Sequence, residues 1–138
     1  MTAKTILLVE DSLADTYLIQ RAVKDCGPDI QLWTTADGGE ALQMLRKATP
    51  ALILIDLLLP KMSGTQLLAE VRQLPAYRAT PIIILSRLEE EREAALCLRL
   101  GATAYVQKSS NFHTFFDSIK ALVKHWFQSE GERDEEQS

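Results

Sequence analysis

Glu10 and Asp11 follow the first apolar run of the chain, Asp56 the third, Ser86 the fourth and Lys108 the fifth. In an open parallel α/β sheet, ligands bind beyond the carboxyl ends of the strands, where the strand order reverses. If these runs are strands of that kind, one sheet edge gathers three carboxylates, a hydroxyl and an ammonium. Their charges favour a metal: Glu10, Asp11 and Asp56 contribute −3, which Lys108 and one Mg²⁺ balance. Without the metal, three close carboxylates would repel one another and raise each other's pKa. Hard oxygen ligands with open water positions suit Mg²⁺, which bridges to phosphate oxygens. Zinc is disfavoured, because no Cys or suitably spaced His accompanies the carboxylates.

Each residue also has an ordinary explanation. Asp11 and Ser12 precede a helix, where such side chains often do no more than cap free backbone N–H groups. Ser86 could cap the fourth helix, and a solvated surface lysine is the commonest fate for Lys108. Asp56 is harder to dismiss, since it ends an apolar run and precedes Leu57-Leu58-Leu59, where an unpaired carboxylate is costly to desolvate. The functional reading rests on convergence of four strand ends.

The elements that must position these residues follow from the pattern. Apolar runs at Thr5 to Val9, Ile30 to Thr34, Leu52 to Ile55, Ile82 to Leu85 and Ala104 to Gln107 alternate with helix-period segments, the mark of repeated βα units. The third and fourth runs are apolar without alternation, as central parallel strands buried on both faces should be. Helices are expected near Ala14 to Cys26, Gly39 to Ala48, Thr65 to Leu74, Glu89 to Leu100 and Asn111 to Gln128. Gly27-Pro28, Pro50, Pro75 and Gly101 follow four of them as stop signals.

A length of 138 residues suits one domain over 1–128, with no separate output module expected. Residues 129–138 have no apolar side chain to bury, and a disordered acidic tail is expected there. A net charge of −4 opposes broad attraction to nucleic acid or anionic lipid. Cys26 and Cys97 lack the spacing of a zinc site or disulfide framework and read as core thiols. The N-terminus has no signal-like apolar run and no stretch reaches membrane-spanning length, so a cytoplasmic location is expected.

Val-Glu-Asp-Ser at 9 to 12, Asp-Leu-Leu-Leu-Pro-Lys-Met-Ser-Gly at 56 to 64, Ser86, Gly-Ala at 101 to 102 and Tyr-Val-Gln-Lys at 105 to 108 together resemble the response-regulator receiver domains of the CheY-like superfamily. The resemblance covers about Lys4 to Phe127. It implies a flavodoxin-like (βα)5 three-layer sandwich with a parallel sheet ordered 2-1-3-4-5, an arrangement for which a member of this superfamily is a standard example. Asp56 would then be the phosphoacceptor, Asp11 a direct Mg²⁺ ligand, Glu10 a ligand through water and Leu58 a ligand through its backbone carbonyl. Ser86 and Lys108 would contact the phosphoryl group, and Tyr105 would be the aromatic switch, although a half-buried strand aromatic needs no such role. Glu-Asp-Ser-x-Ala-Asp at 10 to 15, Lys-Ser-x-Asn at 108 to 111 and the aromatic end of the fifth helix look like the stand-alone regulators paired with cyanobacterial phytochrome kinases. The receiver resemblance implies a phosphohistidine donor on a histidine kinase, and the narrower likeness implies that this kinase is a phytochrome.

The chain departs from the family pattern in three places. Ser109 follows the lysine where a proline, in a cis peptide, is usual. Arg87 replaces a small residue after Ser86 and would crowd the phosphoryl group or reach an acidic partner. Leu58 and Leu88 flank the approach to the site. An aspartate-nucleophile phosphatase is a second reading, but such enzymes resemble a pattern with another acid where Leu58 stands. A phosphorylation-independent binding module is a third, and such modules typically lack an acidic or lysine position that is present here. In the fourth helix, Leu96, Cys97 and Leu100 share a sheet-facing side while Ala94 and Leu98 project away; in the fifth, Phe112 belongs to the core stripe and Phe116 and Phe127 extend it outward. A homodimer through helix four, strand five and helix five is expected from this face.

Overall fold

The computed structural model describes residues 4–87 and 91–137, with side chains described as far as Phe127. Leu88 and the side chains of the acidic segment at 129–138 lie outside the described residues. The elements run β1 (Lys4–Val9), α1 (Leu13–Cys26), β2 (Ile30–Thr35), α2 (Gly38–Lys47), β3 (Leu52–Asp56), α3 (Gly64–Gln73), a 3-10 turn (Pro75–Tyr77), β4 (Ile82–Ser86), α4 (Glu91–Arg99), β5 (Ala104–Gln107) and α5 (Phe112–Gln137). All strand pairs are parallel, in the order β2-β1-β3-β4-β5. The fold is therefore the flavodoxin-like three-layer sandwich expected from the sequence.

Period-two alternation sorts the sheet residues between two cores. Leu7, Val9, Ile53, Ile55, Ile82 and Ile84 face α2, α3 and α4, where they meet Leu45, Leu67, Leu68, Val71 and Cys97. Ile6, Leu8, Leu52, Leu54, Ile83 and Leu85 face α1 and α5 and meet Ile19, Val23, Phe115, Ile119 and Val123. The two central runs are wholly buried because helices cover both faces, which accounts for their unbroken apolar sequence.

The helix starts have specific causes. Ser12 accepts from the Asp15 amide at the head of α1, Asp37 accepts from Gly39 and Glu40 at α2, and Ser63 with Gln66 forms a capping box at α3. Pro75 ends α3 and opens the 3-10 turn, whose Tyr77 hydroxyl donates to the Leu45 and Ala48 carbonyls. Arg72, near the end of α3, donates to the carbonyls of Gly101 (2.8 Å), Tyr77 (2.5 Å) and Thr80 (2.7 Å). Gly101, at φ 110°, closes the turn between α4 and β5 in a conformation that favours glycine.

Several expectations for the surface helices need correction. Phe112 is 71% exposed, not part of the core stripe, because it is the first residue of α5. Phe127 is buried, packed in the α1–α5 core with Lys4 Nζ 5.6 Å from its ring centroid, and so does not extend an exposed face. Phe116 is half-buried against the same core, under the Lys120 ammonium. In α4, Cys97 is buried and Leu98 is exposed as expected, but Ala94 is partly buried and Leu96 reaches solvent.

Candidate functional site

β1, β3 and β5 bring residues at or just beyond their carboxyl ends to one end of the sheet. Glu10 continues β1, its amide donating to the Thr35 carbonyl at 2.9 Å. Asp56 closes β3, opposite Leu85 of β4. Lys108 follows β5, its amide donating to the Ser86 carbonyl at 2.6 Å. No peptide bond among the described residues is cis, so the Lys108–Ser109 link is trans. A close backbone approach sets the loop after β3: the Gly64 amide donates to the Leu57 carbonyl, and a Cβ at Gly64 would lie 2.5 Å from the Asp56 carbonyl oxygen.

Lys108 organises the site. Its buried ammonium donates to Glu10 Oε1, lies 3.0 Å from Asp15 Oδ2 and 3.3 Å from Asp56 Oδ1. Carboxylate oxygens of Glu10, Asp11 and Asp56 lie within 4.8 Å of one another, with Glu10 and Asp56 buried and Asp11 exposed. This is a hard-oxygen set with one ligand open to solvent, the chemistry a divalent cation requires. Burial pushes the Glu10 carboxyl up to about 7, with Asp56 adding to the effect and Lys108 opposing it. Burial by itself would lower the Lys108 ammonium, but Glu10, Asp15 and Asp56 together outweigh it and hold its pKa above the ordinary lysine value.

A pocket of about 200 Å³ opens over these groups, bordered also by Ser12, Asp15, Leu58 and Arg87. The Leu58 side chain projects into solvent beside it. Ser86 is buried at the end of β4. Tyr105, opposite Ile84, is half-buried against the α2–α3–α4 core. By alternation Ser86 shares the sheet face of Ile84 and Tyr105, two positions further along.

Asp15 is the member that sequence reasoning passed over. It sits in the first turn of α1, is buried, and meets both Lys108 and Arg87. The acidic partner foreseen for Arg87 thus lies within the same chain. The position of Asp15, three residues after the Ser12 cap, was the available signal, and it reads equally as an ordinary acidic residue at a helix N-terminus.

Known proteins resemble this chain in sequence and in fold. The chain is 33% identical over 133 residues to response regulator Rcp1 of Synechocystis sp., which spans 91% of this chain and 90% of that protein. The crystal structure of the Mn²⁺-bound form of Rcp1 is similar with a TM-score of 0.84 at 34% identity, covering 89% of this chain and 94% of that one. The phosphorylated cyanobacterial phytochrome response regulator RcpA gives a TM-score of 0.88 at 33% identity, covering 93% and 96%. The response regulator receiver domain model matches residues 6–120. With this match over most of its length, the chain belongs to the family of response regulator receiver domains.

Proposed function

We propose that this protein is a single-domain response regulator that accepts a phosphoryl group from a histidine kinase phosphohistidine onto Asp56, with Mg²⁺ bound by Asp56, Asp11, the Leu58 carbonyl and, through water, Glu10. The observation that carries this reading is the Lys108 ammonium 3.3 Å from Asp56 Oδ1 inside a ring of carboxylates. A carboxylate oxygen of Asp56 attacks phosphorus in line, an O–P bond forms, and the P–N bond breaks with its electron pair passing to the imidazole. A bound Mg²⁺ supplies neutralisation of charge on the transferring oxygens. Lys108, held by Glu10 and Asp15, supplies the same from the β5 side without having to reorganise.

Ser86 then donates its hydroxyl to the phosphoryl group, and Tyr105 rotates inward, reshaping α4, β5 and α5. A downstream protein or a second copy of the chain reads that surface. A phytochrome is the kinase favoured by the likeness to RcpA, and a cytoplasmic location fits such a partner. Among the described residues no helix is long and apolar enough to cross a membrane. Self-dephosphorylation is the only turnover expected, since Leu58 stands where a phosphatase would place a second acid.

Incubation with acetyl phosphate and Mg²⁺, followed by intact mass, tests the reading. One added phosphoryl group is expected, lost on chelation of the metal and absent in Asp56→Asn. Equal labelling of that variant would overturn the assignment.

A further inference from the structure

Arg87 and Asp15 form a contact that the transfer reaction above does not use. Arg87 leaves the end of β4, whereas Asp15 stands on α1, which follows β1, and the strand between β1 and β4 is β3, which ends in Asp56. The bridge therefore crosses the strand that carries the phosphoacceptor, and all three residues border the same pocket.

The details are unusual for a surface ion pair. Asp15 is buried while the Arg87 side chain is 56% exposed. One guanidinium nitrogen, Nη2, donates to both Asp15 oxygens, at 3.0 Å each. The bonds to Asp15 use Nη2 alone of the three guanidinium nitrogens. Arg87 also borders an open depression with Lys108, Ser109 and Ser110, which puts it at the mouth of the site. A guanidinium carries five N–H donors in a fixed fork suited to phosphate oxygens.

Charge gives this placement a use. A phosphoryl group brings roughly two negative charges, and Asp56 gives up one on becoming its acyl partner. Lys108 is already shared among Glu10, Asp15 and Asp56, so the net added negative charge leaves room for a further cation at the site. Building on the phosphoacceptor reading of Asp56, we propose that Arg87 is a second phosphoryl-binding cation and that Asp15 is the positioning residue that holds it over the pocket.

The test is the affinity for beryllofluoride, a phosphoryl mimic, with Mg²⁺ present, measured by calorimetry on the full chain. Arg87→Ala is expected to bind about tenfold more weakly, a loss of roughly 1.4 kcal/mol, with Arg87→Lys in between. Asp15→Asn separates positioning from plain charge. Removing a negative charge would by itself tighten anion binding, whereas loss of positioning weakens it, and this weakening should shrink in the Arg87→Ala background. Arg87→Ala binding as tightly as wild type would overturn the proposal, as would Asp15→Asn tightening binding equally in both backgrounds. Failure of the underlying reading looks different: wild type would not bind beryllofluoride, or Asp56→Asn would bind it equally well, and either result overturns both.

Discussion

Lys108 Nζ lies 3.3 Å from Asp56 Oδ1 although β4 separates the strands that carry the two residues. The ammonium must reach across the end of β4, past Ser86, whose carbonyl takes the Lys108 amide. Lysine therefore sits where a divalent cation would compete with it for the same carboxylates. Lys108→Met is expected to bind Mg²⁺ on the order of tenfold more tightly, by removal of a like charge, and yet to label more slowly with acetyl phosphate. Metal titration and timed intact mass separate the effects; weaker metal binding would show that Lys108 supports the metal site instead of opposing it.

The pH dependence follows from Glu10. Burial raises its carboxyl from 4.5 to about 7, so the folded metal-free protein keeps a proton that the unfolded chain has already released. The stabilising contribution is complete below about 4.5 and is lost as pH rises through about 7. A divalent cation favours the ionised carboxylate and removes this loss. The thermal stabilisation produced by Mg²⁺ should therefore grow with pH across that interval, and Glu10→Gln should flatten the trend. A pH-independent shift in wild type would mean that Glu10 is already ionised in the metal-free fold.

Gly64 is a packing requirement of the site. A Cβ there meets the Asp56 carbonyl and the Leu57 Cα, 2.8 Å away, and both are backbone. Gly64→Ala should cost about 2 kcal/mol, within the range for overpacking, and slow labelling by displacing Asp56. Urea denaturation checks the first part; an unchanged midpoint would mean that the loop after β3 yields freely.

The proposed homodimer rests on Leu98, half exposed on α4, beside β5. With Phe127 buried in the core, the apolar contribution of α5 falls to Phe116. Sedimentation should show a dimer strengthened by beryllofluoride in wild type and weakened in Leu98→Glu. Equal dimerisation of the variant in both states would place the interface elsewhere.

Much of this architecture was legible because unbroken runs such as Leu52 to Ile55 have few other fates, and because capping residues and prolines mark the ends of α1, α2 and α3 within one or two positions; α5, with no such stop signal, runs to Gln137 where an end at Gln128 was expected. Asp56 and Lys108 were legible because strand ends fix which side chains meet. Asp15 was not, since its meaning depends on Arg87, 72 residues away, and on the angle at which α1 leaves β1. Phe112 and Phe127 were misplaced for a related reason. Helical periodicity assigns a face but not how far along the helix the sheet still covers it.

Arg72 ties the end of α3 to the segments that lead into β4 and β5, at the end of the sheet opposite Asp56. Its guanidinium is engaged by three backbone carbonyls and the Thr103 hydroxyl, which ties these segments together. Amides at the base of β4 and β5 should exchange with solvent slowly in every state, while those beyond Ser86 take up the difference between states. If the proposed switch operates, the receiver should behave as a lever clamped at its foot, with the carbonyls of Tyr77, Thr80 and Gly101 as the clamp.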